Sequence, residues 1–133
     1  MNIIPNTAEL DILNILSNAW AGGLNVNLYK NNYTPDSSTA FVNMTVANFT
    51  GYAAALATGF STPTTISGKA SINFGGAGFT CTGGGLPNDI YGYYVDYSGT
   101  LLWAERFADA HVTIDESGDT LNVSLNFTLS SEN

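Results

Sequence analysis

His111 and Cys81 are the only histidine and the only cysteine among 133 residues. A Ser–His–Asp or Cys–His arrangement would have to form around that one imidazole, and no G-x-S-x-G elbow presents a serine nucleophile. His111 lies in "AHVTI", beside a β-run, where a structural or solvated role is the ordinary one. One thiol allows no internal disulfide and no cysteine-based zinc site within the chain. The carboxylates offer one pair worth testing. Asp96 and Glu105 lie on the two arms of a hairpin, "YGYYVDYSGTLLWAERF", whose Ser98 and Gly99 connection suits a tight primed turn. That turn pairs residues whose numbers sum to 197: Tyr94 with Trp103, Val95 with Leu102, Ile90 with Phe107, and Tyr91 with Arg106. In that register Asp96 and Glu105 share a face at roughly 13 Å, too far for the ~5–9.5 Å of a glycosidase pair.

The remaining candidates carry less. Asp115, Glu116 and Asp119 cluster without the full spacing of a calcium loop and read as an acidic turn. Residues 75–85 hold six glycines in eleven positions, read as a loop or a bulged strand. They lack the Lys-Ser/Thr of a phosphate loop and the G-x-G-x-x-G of a dinucleotide site. The expectation is therefore no enzyme, with no catalytic residue, no metal site and no cofactor.

Composition narrows the partners. The net charge is −8, from eleven acids against Lys30, Lys69 and Arg106. Three cations cannot track a phosphate backbone or an anionic bilayer, so neither nucleic acid nor a membrane surface is expected as partner. No apolar run reaches the ~18–20 residues of a membrane helix. The opening "MNIIPNTAEL" has no basic, apolar leader pattern, so no signal peptide is expected. The sequons at Asn32, Asn43, Asn48, Asn122 and Asn126 then read as products of Asn and Thr richness. Charged residues are 11% of the chain, against about 25% in a typical domain. The surface must be built largely from Thr, Ser, Asn and Gly.

The elements that would position these residues form one expected domain over 1–133. Residues 6–21 read as a helix, capped by Asn6 or Thr7, with Glu9 near its positive end and Gly22 and Gly23 as its stop. Leu10, Ile12, Leu13, Leu16 and Trp20 give it an apolar stripe, which must dock on this chain's own sheet or on a neighbouring subunit. Residues 24–130 read as β structure. "LNVNLYK" sends Leu24, Val26 and Leu28 to one side. "FVNMTV" reads as a short strand, and "NFTGYAAALATGF" as a strand or a turn of helix. "TISGKASINF" alternates through Ile66, Gly68, Ala70, Ile72 and Phe74. "TLNVSLNFTLS" points Leu121, Val123, Leu125, Phe127 and Leu129 inward. About seven or eight strands at this spacing predict a mainly-β fold, an antiparallel sandwich of jelly-roll type with one N-terminal helix.

The hairpin carries apolar bulk on both faces. The face with Ile90, Gly92, Tyr94, Trp103 and Phe107 reads as core. The face with Tyr91, Tyr93, Tyr97 and Arg106 would then be covered by a loop of this chain or by a partner, since Tyr and Arg are enriched at interface hot spots. Tyr91 opposite Arg106 would make a cation–π contact.

Five blocks, "PNTAELDILNILSNAW", "LYKNNYTPD", "FTGYAA", "YGYYVDYSGTLLWAERF" and "GDTLNVSLNFTLS", resemble in order a group of small virion proteins of tailed bacteriophages. They cover well over half the chain, and the departure from the pattern is greatest around residues 75–85. The group is similar to capsid decoration, or cement, proteins. That resemblance implies a protein made in the host bacterial cytoplasm and placed on the capsid surface of the virion. It would bind the major capsid protein as a dimer or trimer and bridge neighbouring subunits. The expected partner-interface residues are Trp20, Tyr29, Tyr33, Tyr91, Tyr93, Tyr97 and Arg106. The alternative is a tail-fibre or receptor-binding module whose tyrosines stack on sugar rings.

Overall fold

The computed structural model describes residues 3–84 and 87–129. Gly85 and Ser130, which end the expected glycine segment and the expected β region, lie outside the described residues. The chain is mainly β, with one N-terminal helix and three separate antiparallel sheets among the described residues. The helix is α1 (Asn6–Ala19). The strands are β1 (Leu24–Tyr29), β2 (Ala55–Ala57), β3 (Thr64–Ile66), β4 (Lys69–Thr80), β5 (Asn88–Ile90), β6 (Gly92–Tyr97), β7 (Thr100–Arg106), β8 (Val112–Ile114) and β9 (Thr120–Leu129). The sheet orders are β2-β1-β6-β7, β3-β4-β9 and β5-β8.

The chain divides into two compact units, each made of separated segments. The first comprises Met1–Gly23, Ala57–Gly76 and Ser124–Asn133. Its helix starts one residue earlier than a side-chain cap would place it. Pro5 is the N-cap, makes no side-chain cap bond, and its carbonyl accepts from Glu9 N at 3.0 Å. Asn6 and Thr7, expected as caps, already lie inside the helix. Leu13 and Trp20 are buried, and Leu10, Ile12 and Leu16 are half-buried. The Trp20 ring meets Phe127 edge-on at 5.9 Å and Phe74 at 6.4 Å, so the helix docks on this chain's own strands. Gly23, at φ 100°, donates to Trp20 O at 2.8 Å and closes the helix end as its glycine predicts.

The segment "TISGKASINF" is not one run. Ser67 and Gly68 both have positive φ, 50° and 76°, and turn β3 back onto β4. Ile66 is consequently half exposed rather than aligned with Ala70, Ile72 and Phe74. β4 then continues through the glycine segment to Thr80, with burial shifting phase at Gly75 and Gly76. Amides and hydroxyls of β4 and β9 bond one another here, with Ser71 buried and Asn73, Asn126 and Thr128 exposed. Asn126 Nδ2 donates to Asn73 Oδ1 at 2.8 Å, and the Ser71 and Thr128 hydroxyls lie 3.1 Å apart.

The second unit comprises Leu24–Leu56 and Ala77–Val123. Leu24, Val26 and Leu28 of β1 are fully buried, as their alternation predicts. In "FVNMTV", expected as a short strand, Phe41–Asn43 form a 3₁₀ turn and only Val46 pairs in β fashion, through an antiparallel bridge to Tyr29. Asn43 Oδ1 accepts from Ala40 N at 2.7 Å, and Asn31 bridges Asn43 O and Thr45 N. Two asparagine side chains thus take the backbone partners that a strand would have used. "NFTGYAAALATGF" holds no helix, and only Ala55–Ala57 is strand.

β6 and β7 pair as a sum of 197 next to the turn, Tyr97 with Thr100 and Asp96 with Leu101. Beyond it the pairing slips. Val95 faces Trp103, Tyr94 faces Ala104, Tyr93 faces Glu105 and Gly92 faces Arg106. Leu102 is the extra residue, a bulge that increases local twist and re-aims everything past it. Gly92 is fixed by crowding. A Cβ there would stand 2.5 Å from Tyr29 Oη and collide with the Glu105 carbonyl.

Two stability outcomes are expected in urea unfolding. Gly92→Ala costs about 1–3 kcal/mol through overpacking. Trp20→Ala costs about 3–5 kcal/mol by removing the ring between Phe74 and Phe127.

Candidate docking site

All the residues of the hairpin site belong to the second unit. The bulge sorts its aromatics differently from the regular register. Tyr93 and Val95 share a face with Trp103 and Glu105, while Gly92, Tyr94 and Asp96 share the other with Ala104 and Arg106. The expected core face pairing Tyr94 with Trp103 is therefore split, and so is the expected Tyr91–Tyr93–Arg106 face. Asp96 and Glu105 do not share a face either. Asp96 accepts from Asn27 Nδ2 at 2.9 Å and Asn25 Nδ2 at 3.3 Å, while Glu105 Oε2 accepts from Tyr93 Oη at 2.6 Å.

On the Tyr94 side, Tyr29, Met44 and Tyr94 form a buried cluster with Tyr33, Tyr91, Leu101 and Ala104 packed against it. Phe41 meets the Tyr94 ring edge-on at 5.9 Å. The cover is thus a loop of the same chain, around the 3₁₀ turn. Its anchor is the Tyr33 carbonyl, which accepts from Tyr29 Oη at 3.2 Å and from Arg106 Nη1 at 3.1 Å. The Tyr33 hydroxyl in turn lies 2.9 Å from Thr39 Oγ1.

Arg106 stacks at 5.2 Å over the Tyr91 ring, the contact expected from the sequence, although its strand partner is Gly92. Tyr91 N donates to Tyr29 O at 3.0 Å and Tyr91 O accepts from Phe107 N at 2.9 Å, which holds it against that cluster. The other neighbour of Tyr91 is the His111 ring, 5.2 Å away and tilted. His111 Nε2 stands 3.5 Å from Asp89 Oδ1, which also accepts from Thr113 Oγ1 at 2.7 Å. A row results, Tyr33–Arg106–Tyr91–His111–Asp89, in which the first three are half-buried and the last two exposed.

The seven residues expected at a partner interface separate on burial. Trp20, Tyr29 and Tyr93 are buried at 7%, 0% and 3% exposure, each packed within this chain. Their side chains work as core, which corrects their expected place at an interface. Tyr33, Tyr91, Arg106 and Tyr97 keep accessible surface, with Tyr97 beside the turn and apart from the row. His111 and Asp89 joined the row unannounced. Asp89 lies on β5 of a different small sheet and His111 directly precedes the other strand of that sheet, β8, and no local pattern connects them to Tyr91. Among the described residues, no three His, Cys, Asp or Glu groups gather as a metal would need.

Burial also shifts the phenols. It pushes Tyr52 up to about 12, against the opposing effect of Leu28 N donating to its hydroxyl at 3.0 Å. Burial raises Tyr93 still further, and its bond to Glu105 adds to this, while a bond from the Trp103 side chain opposes it. Tyr29 and Tyr94 are raised by burial as well. No family model matches the chain, no curated protein matches it, and no solved structure matches it.

A phenol whose folded value lies above its ordinary 10.0 stays protonated longer in the folded state. The unfolded chain then binds fewer protons between the two values, so stability falls as pH rises through that window. Tyr52 predicts a melting temperature that drops between about pH 10 and 12. Tyrosinate absorbance of the native protein should show Tyr29, Tyr52, Tyr93 and Tyr94 ionising above 10, and Tyr52→Phe should flatten part of the decline.

Proposed function

We propose that this chain is a non-enzymatic capsid decoration protein of a tailed bacteriophage, which binds the major capsid protein on the outer shell and bridges neighbouring subunits. The carrying observation is the Tyr33–Arg106–Tyr91–His111 row. Tyrosine and arginine are the residue types that dominate binding hot spots. Here Arg106 is held by the Tyr33 carbonyl and by the Tyr91 ring, so little freedom remains to be lost on docking. The charge-poor exterior of amides and hydroxyls and the resemblance of the five sequence blocks support the same reading. A standard stable contact buries about 1,600 Å², and repetition over a closed shell multiplies a modest contact. The sheets are proposed as parts of a jelly-roll sandwich. The support is the alternation of burial along β9 and along β1 as far as Leu28. A dimer or trimer is the oligomer this placement favours.

Copy number tests the proposal. Quantified in purified particles, the protein should stand in a simple ratio to the major capsid protein, in the hundreds of copies. A handful of copies would place it in the tail or fibres, where sugar binding becomes the reading. Its absence from particles would end the virion assignment. Tyr91→Ala and Arg106→Ala should each weaken binding to particles lacking the protein by at least about tenfold. Tyr93→Ala should lower stability instead, since its side chain is core.

A further inference from the structure

The outer strand of a sheet presents N–H and C=O groups that can template one more strand. Most outer strands of this chain are poor templates. β2, β3, β5 and β8 are three residues each. β7 is bulged at Leu102 and carries Glu105 and Arg106. The exception is β9, the outer strand of the β3-β4-β9 sheet, which among the described strands pairs only with β4. It runs for ten residues.

None of the usual devices guards this edge. Residues Thr120–Leu129, "TLNVSLNFTL", hold no proline and no charge, although the chain has eleven acids and three cations. Burial alternates along β9 without a break. Val123 and Leu125 are buried and Leu121, Phe127 and Leu129 half-buried on one side, while Thr120, Asn122, Ser124, Asn126 and Thr128 are exposed on the other. The inward side is already occupied by this chain, with Trp20 edge-on to Phe127 at 5.9 Å. The feature left over is the edge and not a face.

We infer that β9 pairs antiparallel with β9 of a second copy, joining the two three-stranded sheets into one across a twofold axis. The strand is complementary to itself. Opposed residues of an antiparallel pair point to the same side. When paired numbers sum to 248, Val123 meets Leu125, Leu121 meets Phe127, Asn122 meets Asn126, and Ser124 faces its counterpart on the axis. A sum of 250 keeps the same sorting, with Leu125 on the axis. In both registers apolar opposes apolar, polar opposes polar, and no charges are brought together. A foreign strand would be selected by a charge along the edge, and β9 offers none. Each chain contributes one such edge, so the pair consumes both and closes as a dimer. The inference stands on the strand alone and is separate from the Tyr91 row. A monomeric chain would overturn it and leave the capsid reading to be decided by copy number.

The test is sedimentation velocity of the full chain from micromolar to millimolar concentration, with hydrogen exchange followed over the same range. A species of twice the chain mass should grow in, and amides of residues 120–129 should gain protection with it. Ser124→Lys, at an exposed position, sets a cation of each copy beside the axis. It should raise the dissociation constant of the dimer about fivefold, the scale of like charges opposed across strands, with the melting temperature of the dilute protein unchanged. Ser124→Glu should do the same, and an equimolar mixture of the two variants should pair at least as tightly as the original chain. A single-chain mass at every concentration would overturn the inference. So would a dimer indifferent to both variants, or protection gained only outside residues 120–129, since either would put the contact on another surface.

Discussion

One extra residue in β7 decides what each aromatic of the hairpin does. With Leu102 unpaired, Val95 meets Trp103 and Tyr93 meets Glu105, and side chains past that point exchange faces. Tyr93 is sent into the core, where its hydroxyl finds Glu105. Ala104, the smallest partner available, is brought beside Tyr94, and the space left there is filled by Tyr29, Met44 and the loop that carries Tyr33. Arg106 arrives opposite Gly92, over which its side chain can reach both the Tyr33 carbonyl and the Tyr91 ring. The bulge, the absence of a Cβ at Gly92 and the position of Arg106 are therefore one arrangement.

The loop over the sheet is held by a few polar atoms. The Tyr33 carbonyl receives two donors, Asn31 and Asn43 close the 3₁₀ turn, and Thr39 links Tyr33 to Asp36. Each bond contributes about 0.5–1.5 kcal/mol net, yet together they set the position of the candidate contact, the row running from Tyr33 to His111. A protein whose proposed work is to hold others together would gain from such a rigid surface, because docking then freezes few side chains.

Period-two patterning made the strands legible. Leu24, Val26 and Leu28, and Val123 with Leu125, are buried as their alternation predicts. The helix and its Gly23 stop were legible for the same local reasons. What escaped was decided by single atoms or by distant segments. The Ser67 and Gly68 turn was hidden inside an unbroken alternation, although the same Ser-Gly pair at 98 and 99 signalled the other hairpin. The strand expected at "FVNMTV" is reduced to one bridge, Val46 with Tyr29, because asparagine side chains from inside and outside the segment take the backbone partners of its first part. At the site, Tyr33, Tyr91 and Arg106 could be picked by type, but His111 and Asp89 could not. Tyr29 and Tyr93 have the residue type of an interface hot spot, but both are buried within this chain. A bulge leaves no mark in a hydrophobic pattern that is apolar on both faces, so the register past Val95 could not be read in advance.

The register is tested most directly by cross-strand nuclear Overhauser effects in solution. The account predicts contacts that link Val95 to Trp103 and Tyr93 to Glu105, together with Asp96 to Leu101 on the turn side of the bulge. Contacts linking Val95 to Leu102 and Tyr94 to Trp103 would mean a regular hairpin, and would contradict both the sorting of the aromatics and the docking row built upon it.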